Sequence, residues 1–445
     1  MIRRLHISIA VVASCWLSTG GAALAAESAA VVSVADFAQR ESFTAGIQEA
    51  IDSLPAEGGV VLIPPGRYVL RRSVALRPHV TLRGSGSTTT LTRGQEAVTK
   101  LREPAKKGDP AVAVESTEGF RAGDEVFLRD NQLGGWHSVH AVVGAVEPGR
   151  IVLEEPLWTC HEEGVFRPEQ HARLTNYFPM IRGNRFHWDK PLEDVSVTDL
   201  VLDGNMEENP SPVTDFTIAA VHFANVHDGQ VRNVTVRGSV GDGIGVQRGR
   251  DVRVESCLAE GCRVHGFHPG TSLRGAVFAN NVGRHNGGDG LYFCADVLGI
   301  VVTGNLLHDN RHNGIGGLGD QPGGDRFNVV SSNVCRNNGQ HGIYANGGGS
   351  NLIVGNVCLD NSQAKPGAYS GIALQNATRC TVTGNHCSCD GEKPTQKHGI
   401  EEIGRADANT LTGNQCHGNA RAGIRVAGPS AQVVGNVGEV EKEPR

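Results

Sequence analysis

Between residues 195 and 436 the chain alternates short apolar runs with glycine and asparagine in a steady rhythm. A glycine followed by a large apolar residue recurs as Gly243-Ile244, Gly266-Phe267, Gly290-Leu291, Gly314-Ile315, Gly342-Ile343, Gly371-Ile372, Gly399-Ile400 and Gly423-Ile424, in steps of 23 to 29 residues. Asn281, Asn305, Asn333, Asn356, Asn385, Asn414 and Asn436 run in phase with it. Between these markers lie short runs of Val, Ile, Thr and Leu, such as Ile300-Val301-Val302-Thr303, broken by Asn-Gly and Gly-Gly. That is the period of strands and turns, not of helices.

A strand this short buries a face only by stacking on its own repeats. The pattern therefore predicts an all-β solenoid, a single-stranded right-handed parallel β-helix in which each coil bonds to those above and below. An asparagine repeated at one turn becomes a ladder of side-chain amides, which is a structural role and not a metal site. Cys335, Cys358, Cys387 and Cys416 each sit two residues after such an asparagine and read as small buried residues in register. Cys257–Cys262 and Cys387–Cys389 are the spacings that leave a disulfide open.

The N-terminal half opens differently. Ser42 to Leu54 places Phe43, Ile47, Ala50, Ile51 and Leu54 on one helical face. Gly58-Gly59-Val60-Val61, Pro64-Pro65-Gly66-Arg67-Tyr68 and Val80-Thr81-Leu82-Arg83-Gly84 follow. With Asp36-Phe37 before them, these segments resemble the opening of the pectate-lyase-like β-helix superfamily, which implies a helix that caps the end of the solenoid. That superfamily holds lyases, hydrolases, epimerases and phage tailspikes, so the resemblance bears on fold more than on reaction. Residues 97–190 interrupt the rhythm with strand-like runs at Ala111–Val114, Glu125–Leu128 and Ile151–Leu153. The expected organisation is a leader over 1–26, cap and first coils over 27–96, an inserted β subdomain over 97–190, the main coils over 191–437 and a tail over 438–445.

Composition adds an address and removes some partners. Arg3 and Arg4, the apolar stretch Ile7–Leu17 and the small residues up to Ala25 and Ala26 form a secretory leader, which predicts a secreted or periplasmic protein. Val12-Ala13-Ser14-Cys15 leaves a lipoprotein as the alternative. No later run is long enough to span a bilayer. A net charge of −6 on 445 residues, without a basic run, points away from nucleic acid. The 59 glycines, against a usual share of about 7%, signal many tight turns.

Candidate chemistry follows from the register. If the apolar residue after each glycine points inward, the next one points outward, giving the column Gly245, His268, Tyr292, Gly316, Tyr344, Ala373, Glu401, Arg425. The residues before the glycines form a second column: Asp242, His265, Asp289, Asn313, His341, Ser370, His398, Ala422. The expected partner is a polysaccharide or oligosaccharide, with His265, His268, Asp289, Tyr292 and Asp242 as catalytic candidates. Asn313, His341, Tyr344, Arg248, Arg263 and Trp136 are candidates for binding it. Arg274 is a further candidate to neutralise a uronate.

The string Val264-His265-Gly266-Phe267-His268-Pro269-Gly270-Thr271 is similar to the Tyr-Gly-Phe-Asp-Pro-His motif of mannuronan C5-epimerases at Gly266, Phe267 and Pro269. His265, His268 and Gly270 stand where that family carries its reactive Tyr, Asp and His, so the likeness implies a shared location more than a shared reaction. Three functions stay open: a lyase or epimerase acting on uronate units, an inverting glycoside hydrolase using Asp242 and Asp289, and a non-catalytic glycan-binding protein. No cofactor is fixed by the sequence; Asp320 and Asp325 leave a Ca²⁺ site open. Oligomeric state is not fixed by the sequence.

Overall fold

The computed structural model describes residues 29–37, 42–131, 137–158, 164–184, 190–319 and 324–442. The leader, Cys15, Trp136 and Asp320 lie outside the described residues.

The glycine–apolar markers lie directly over one another. Ile244, Phe267, Leu291, Ile315, Ile343, Ile372, Ile400 and Ile424 are consecutive parallel partners, and all are fully buried in one continuous core. They belong to a twelve-stranded parallel sheet that begins at Val74–Ala75 and ends at Val440–Lys442; we call it the face sheet. The remaining strands of each coil, for example Val301–Thr303 and Leu306–His308, stack in the same order to close the other walls. Between those two strands Gly304 takes φ 66°, a left-handed turn that an unbranched backbone accommodates without strain. The result is a parallel β-helix.

Three amide ladders run up its interior. In one, each Nδ2 of Asn281, Asn305, Asn333, Asn356, Asn385 and Asn414 donates to the Oδ1 one coil on, at 2.8–3.0 Å. A second runs through Asn286, Asn310, Asn338 and Asn361 to Gln396, and Asn328–Asn351 forms part of a third. The turn backbone, which a solenoid cannot expose to water, is satisfied this way. Cys335, Cys358 and Cys387 are register partners, and Cys416 completes a buried column of free thiols. Cys257, Cys262, Cys387 and Cys389 are likewise free, so neither disulfide left open by the spacing forms.

At the N-terminal end the helix spans Ile47–Ser53, shorter than the amphipathic run, and buries Ile47, Ala50 and Ile51 in the same core as Val34, Val61 and Val80. Between the first and second strands of the face sheet lies an antiparallel sheet of six strands, in the order Val98–Lys100, Arg173–Thr175, Glu125–Arg129, Ser138–Glu147, Arg150–Leu153, Ala111–Ala113. It has its own core, including Val126, Leu128, Val139 and Leu174. Polar contacts tie it to the coils: Arg71 grips Asp124 through Nε and Nη2 at 2.9 and 2.7 Å, the Ser73 amide donates to Glu125 Oε2 at 3.0 Å, and Ser138 Oγ donates to Asp215 Oδ2 at 2.7 Å. No helix among the described residues is long and apolar enough to cross a membrane.

Candidate active site

The residues before the glycines do form a column, but a buried one. Asp242, Asp289, Asn313 and His341 are all buried. Each uses one side-chain atom to accept the backbone N–H of the residue one coil on. Asp242 Oδ1 accepts from His265, His265 Nδ1 from Asp289, Asp289 Oδ1 from Asn313, Asn313 Oδ1 from His341, and His341 Nδ1 from Ser370, at 2.7–3.0 Å. This polar ladder accounts for the acceptor chemistry at these positions without any catalytic role. What it leaves over is each residue's second atom.

For Asp242 that atom is Oδ2, which lies 2.6 Å from His268 Nδ1. Burial opposes the charged imidazole, but the Asp242 carboxylate outweighs it and raises the His268 pKa to about 10. In return, His268 and His265 overcome the burial of Asp242 and lower its pKa. His268 is thus an imidazolium fixed through Nδ1, and its buried Nε2 has no nitrogen or oxygen partner, with the Cys294 thiol beside the ring.

His265 behaves oppositely. Its Nδ1 accepts the Asp289 amide, which puts the proton of the neutral ring on Nε2, and burial pushes its pKa down to about 3. The ring stacks on Tyr292 at 4.3 Å between centroids, while Tyr292 meets His268 edge-on at 5.2 Å. Space for this group comes from glycine. A Cβ on Gly316 would lie 2.6 Å from Asp289 Oδ2, and one on Gly317 would lie 2.5 Å from the Tyr292 ring.

Two members of the outward column were not picked out from the sequence. Arg182, His222, Gly245, His268 and Tyr292 follow one another in register or on successive coils. The coils of Arg182 and His222 carry Met180-Ile181 and Ala220-Val221 where later coils carry the glycine marker. Stepping back 23 residues from Ile244 to Val221 is the signal that would have found His222. Both of its ring nitrogens are buried without a partner. Burial, then the neighbouring His140 and His268, bring its pKa down to about 3, so it is a neutral imidazole. Between His222 and His268 the column holds only Gly245, whose missing side chain leaves a gap. Gln247, on the same side of its strand and fully buried, has both amide atoms unpartnered.

The other expected residues lie elsewhere. Tyr344 stacks on His341 at 5.1 Å and donates to Gln375 Oε1 at 2.7 Å, higher on the same face. Arg263 uses its guanidinium on the backbone, donating to Asn209 O at 2.9 Å and to Ser211 O. Arg274 is paired with Asp296 at 2.5 Å. Arg248 follows strand Asp242–Gln247 in a left-handed turn, φ 53°, with its amide donating to Thr271 O at 2.8 Å. Asp325 is buried, and its two oxygens accept the amides of Val297 and Gly319 at 2.7 and 2.6 Å, which takes them from a cation. Among the described residues no cluster of three or more His, Cys, Asp or Glu is arranged to hold a metal.

The sequence profile described as "Right handed beta helix region" matches residues 219–363 and 294–437. The chain is a right-handed parallel β-helix protein. None of the curated protein sequences matches it. Among solved structures, this β-helix is similar to the A-module of mannuronan C-5 epimerase AlgE6 from Azotobacter vinelandii, with a TM-score of 0.54 and 18% identity over 93% of this chain and 99% of that one. The AlgE4 A-module from the same organism gives 0.53 and 17% over 90% and 99%. A periplasmic alginate epimerase, AlgG, gives 0.50 and 13% over 94% and 84%. At such identities the likeness is one of fold.

Proposed function

We propose that this β-helix acts on a uronate-containing polysaccharide by removing the proton α to a sugar carboxylate, as a lyase or an epimerase. The observation that carries the reading is the pair His222 and His268. One is a neutral imidazole and the other an imidazolium, both with unpartnered buried nitrogens, on either side of the side-chain gap at Gly245. Two coils separate their backbones by about 9.6 Å, a span that admits a sugar ring.

His222 accepts the C5 proton, and the electron pair passes into the carboxylate, where Arg182, whose Nη1 also lies 3.8 Å from Glu125 Oε1, stabilises the charge that develops. His268 Nε2–H then returns a proton. Delivered to C5 from the opposite side, it gives epimerisation; delivered to the leaving oxygen at C4 as that bond breaks, it gives elimination. Asp242 holds His268 in its orientation and protonation state, and Tyr292 and His265 wall the site. Hydrolysis is less well supported, because an inverting pair needs one carboxylic acid and one carboxylate. Both oxygens of Asp242 are engaged and its pKa is lowered, which suits it poorly to the acid role.

Incubation with polyuronates and neutral glycans in deuterated buffer tests the reading. Unsaturated, ultraviolet-absorbing ends, or deuterium at C5 with inverted configuration, are expected from polyuronates, and His222→Ala and His268→Ala should abolish either product. New reducing ends from a neutral glycan without unsaturation would make the protein a hydrolase instead. Glycan bound with no product at all would make it a binding protein.

A further inference from the structure

The inserted sheet carries a row of charges that the site above does not use. Lys100 is the direct cross-strand partner of Arg173, Arg173 of Arg129, and Arg129 of Ser138. Facing side chains on neighbouring antiparallel strands have their Cβ atoms about 5 Å apart, so three cations stand in a line on one surface. Leu128 and Leu174, the neighbours in sequence, point the other way into the core of the insert. The cations thus share the surface of Phe127, which packs on Val213, Ile218 and Val240 of the coils.

None of these three side chains has a hydrogen-bond or ion-pair partner among the described residues, and Nε and Nη1 of Arg129 are buried. The nearby carboxylates Asp130 and Asp215 act on Arg129 by charge, but their hydrogen bonds go to other groups. Asp130 is bonded to His137 at 3.0 Å, and Asp215 accepts from Thr217 and Ser138. Like charges directly opposite one another weaken a sheet, and a guanidinium with buried nitrogens that make no hydrogen bond weakens it further. The row leads away from the active site: Ser138 is two residues along its strand from His140, whose Nε2 lies 3.0 Å from Thr217 Oγ1 and whose charge acts on His222.

We propose that Lys100, Arg173 and Arg129 form a subsite for the anionic groups of a polysaccharide, extending the path of the chain from the face sheet across the inserted sheet. The proposal rests on the uronate reading above and deepens it. The subsite selects for a polyanion several units long, because the row lies on the inserted sheet and His268 on the face sheet. Arg173 suits the task, since an arginine fork pairs with a carboxylate or sulfate through two parallel hydrogen bonds.

The test is calorimetric binding of polygalacturonate and heparin to the full chain at low and high salt, with dextran as the neutral control. Arg129→Gln/Arg173→Gln should weaken polyanion binding about tenfold and flatten its salt dependence. The same double variant should melt slightly higher, because a repulsive pair has been removed. Unchanged polyanion affinity, or a lowered Tm that marks the row as structural, overturns the subsite. The two ideas fail separately. If polyuronates are processed while the double variant binds them normally, only the subsite is lost. If no polyuronate is processed while the double variant loses polyanion binding, the subsite stands and the reaction is lost.

Discussion

Two stretches of the face sheet use the same column positions to opposite ends. In the upper coils most of these groups satisfy one another, the buried Nε2 of His398 being left 4.0 Å from Glu401 Oε1. Ser370 Oγ donates to Glu401 Oε2 at 2.7 Å, Arg425 Nη1 to Glu401 Oε1 at 3.3 Å, Lys397 pairs with the same carboxylate, and Tyr344 is bonded to Gln375. In the lower coils His222, Gln247 and Nε2 of His268 are left without partners, and glycines stand where side chains would fill the space. Ionisable residues in a column thus carry little information by themselves. The distinguishing mark is an unmatched donor or acceptor beside an empty position, because a buried polar group left unpaired is costly unless a ligand meets it.

The sharpest way to break this contrast is to remove chemistry from the lower stretch alone. His268→Gln should lower turnover by about 10²–10⁴-fold, the usual weight of a general acid or base, with Asp242→Asn close behind because the imidazolium loses its counter-charge. Comparable losses from Tyr344→Phe in the upper stretch would erase the distinction. Next in size, Glu401→Ala leaves Lys397 and Arg425 without their shared buried carboxylate. It should cost about 3–5 kcal/mol of stability, measured by denaturant titration, while kcat stays within twofold.

The pH response sharpens the comparison further. His268 has its pKa raised from 6.5 to about 10, so the stability it contributes is complete below pH 6.5 and is lost as pH rises through about 10. His222 and His265 are held near 3 and His341 near 4, so the unfolded chain takes up protons below pH 6.5 that the folded one refuses. Stability should therefore fall on the acid side between pH 6.5 and about 3, and His341→Gln should make that fall smaller while leaving the alkaline limb in place. Melting curves across pH read both limbs; a flat acid side would contradict the buried neutral histidines. The smallest expected effect is at Gly245→Ala. The new Cβ meets its nearest atom, His222 Nδ1, at an ordinary 3.5 Å, so Tm should hardly move, whereas a methyl in the gap should reduce kcat/KM about tenfold if the sugar sits there.

The fold was legible because its determinant is periodic. Ile244 to Ile424 could be aligned by counting, and the register agrees at each step. The site was legible only in part, because its determinants are not periodic. His222 and Arg182 sit on coils without the glycine marker, and the insert separates Ile181 from the coil below it. The ladder that uses one atom each of Asp242, His265 and Asp289 joins residues 23 to 24 positions apart through backbone amides, which no spacing of side chains reveals. Arg263 was expected to meet a uronate, yet it holds a loop by two carbonyls that nothing in its local sequence marks. Counting finds which residues share a wall; it does not find which of their atoms are already taken.

The column of unpaired thiols has a practical consequence. Cys335, Cys358, Cys387 and Cys416 lie on successive turns and are sealed from solvent. A small alkylating reagent can reach each one only when its own turn opens. Mapping the order in which they are labelled during gentle denaturation would therefore show whether the solenoid unwinds from one end or melts all at once, with the molecule supplying its own depth gauge.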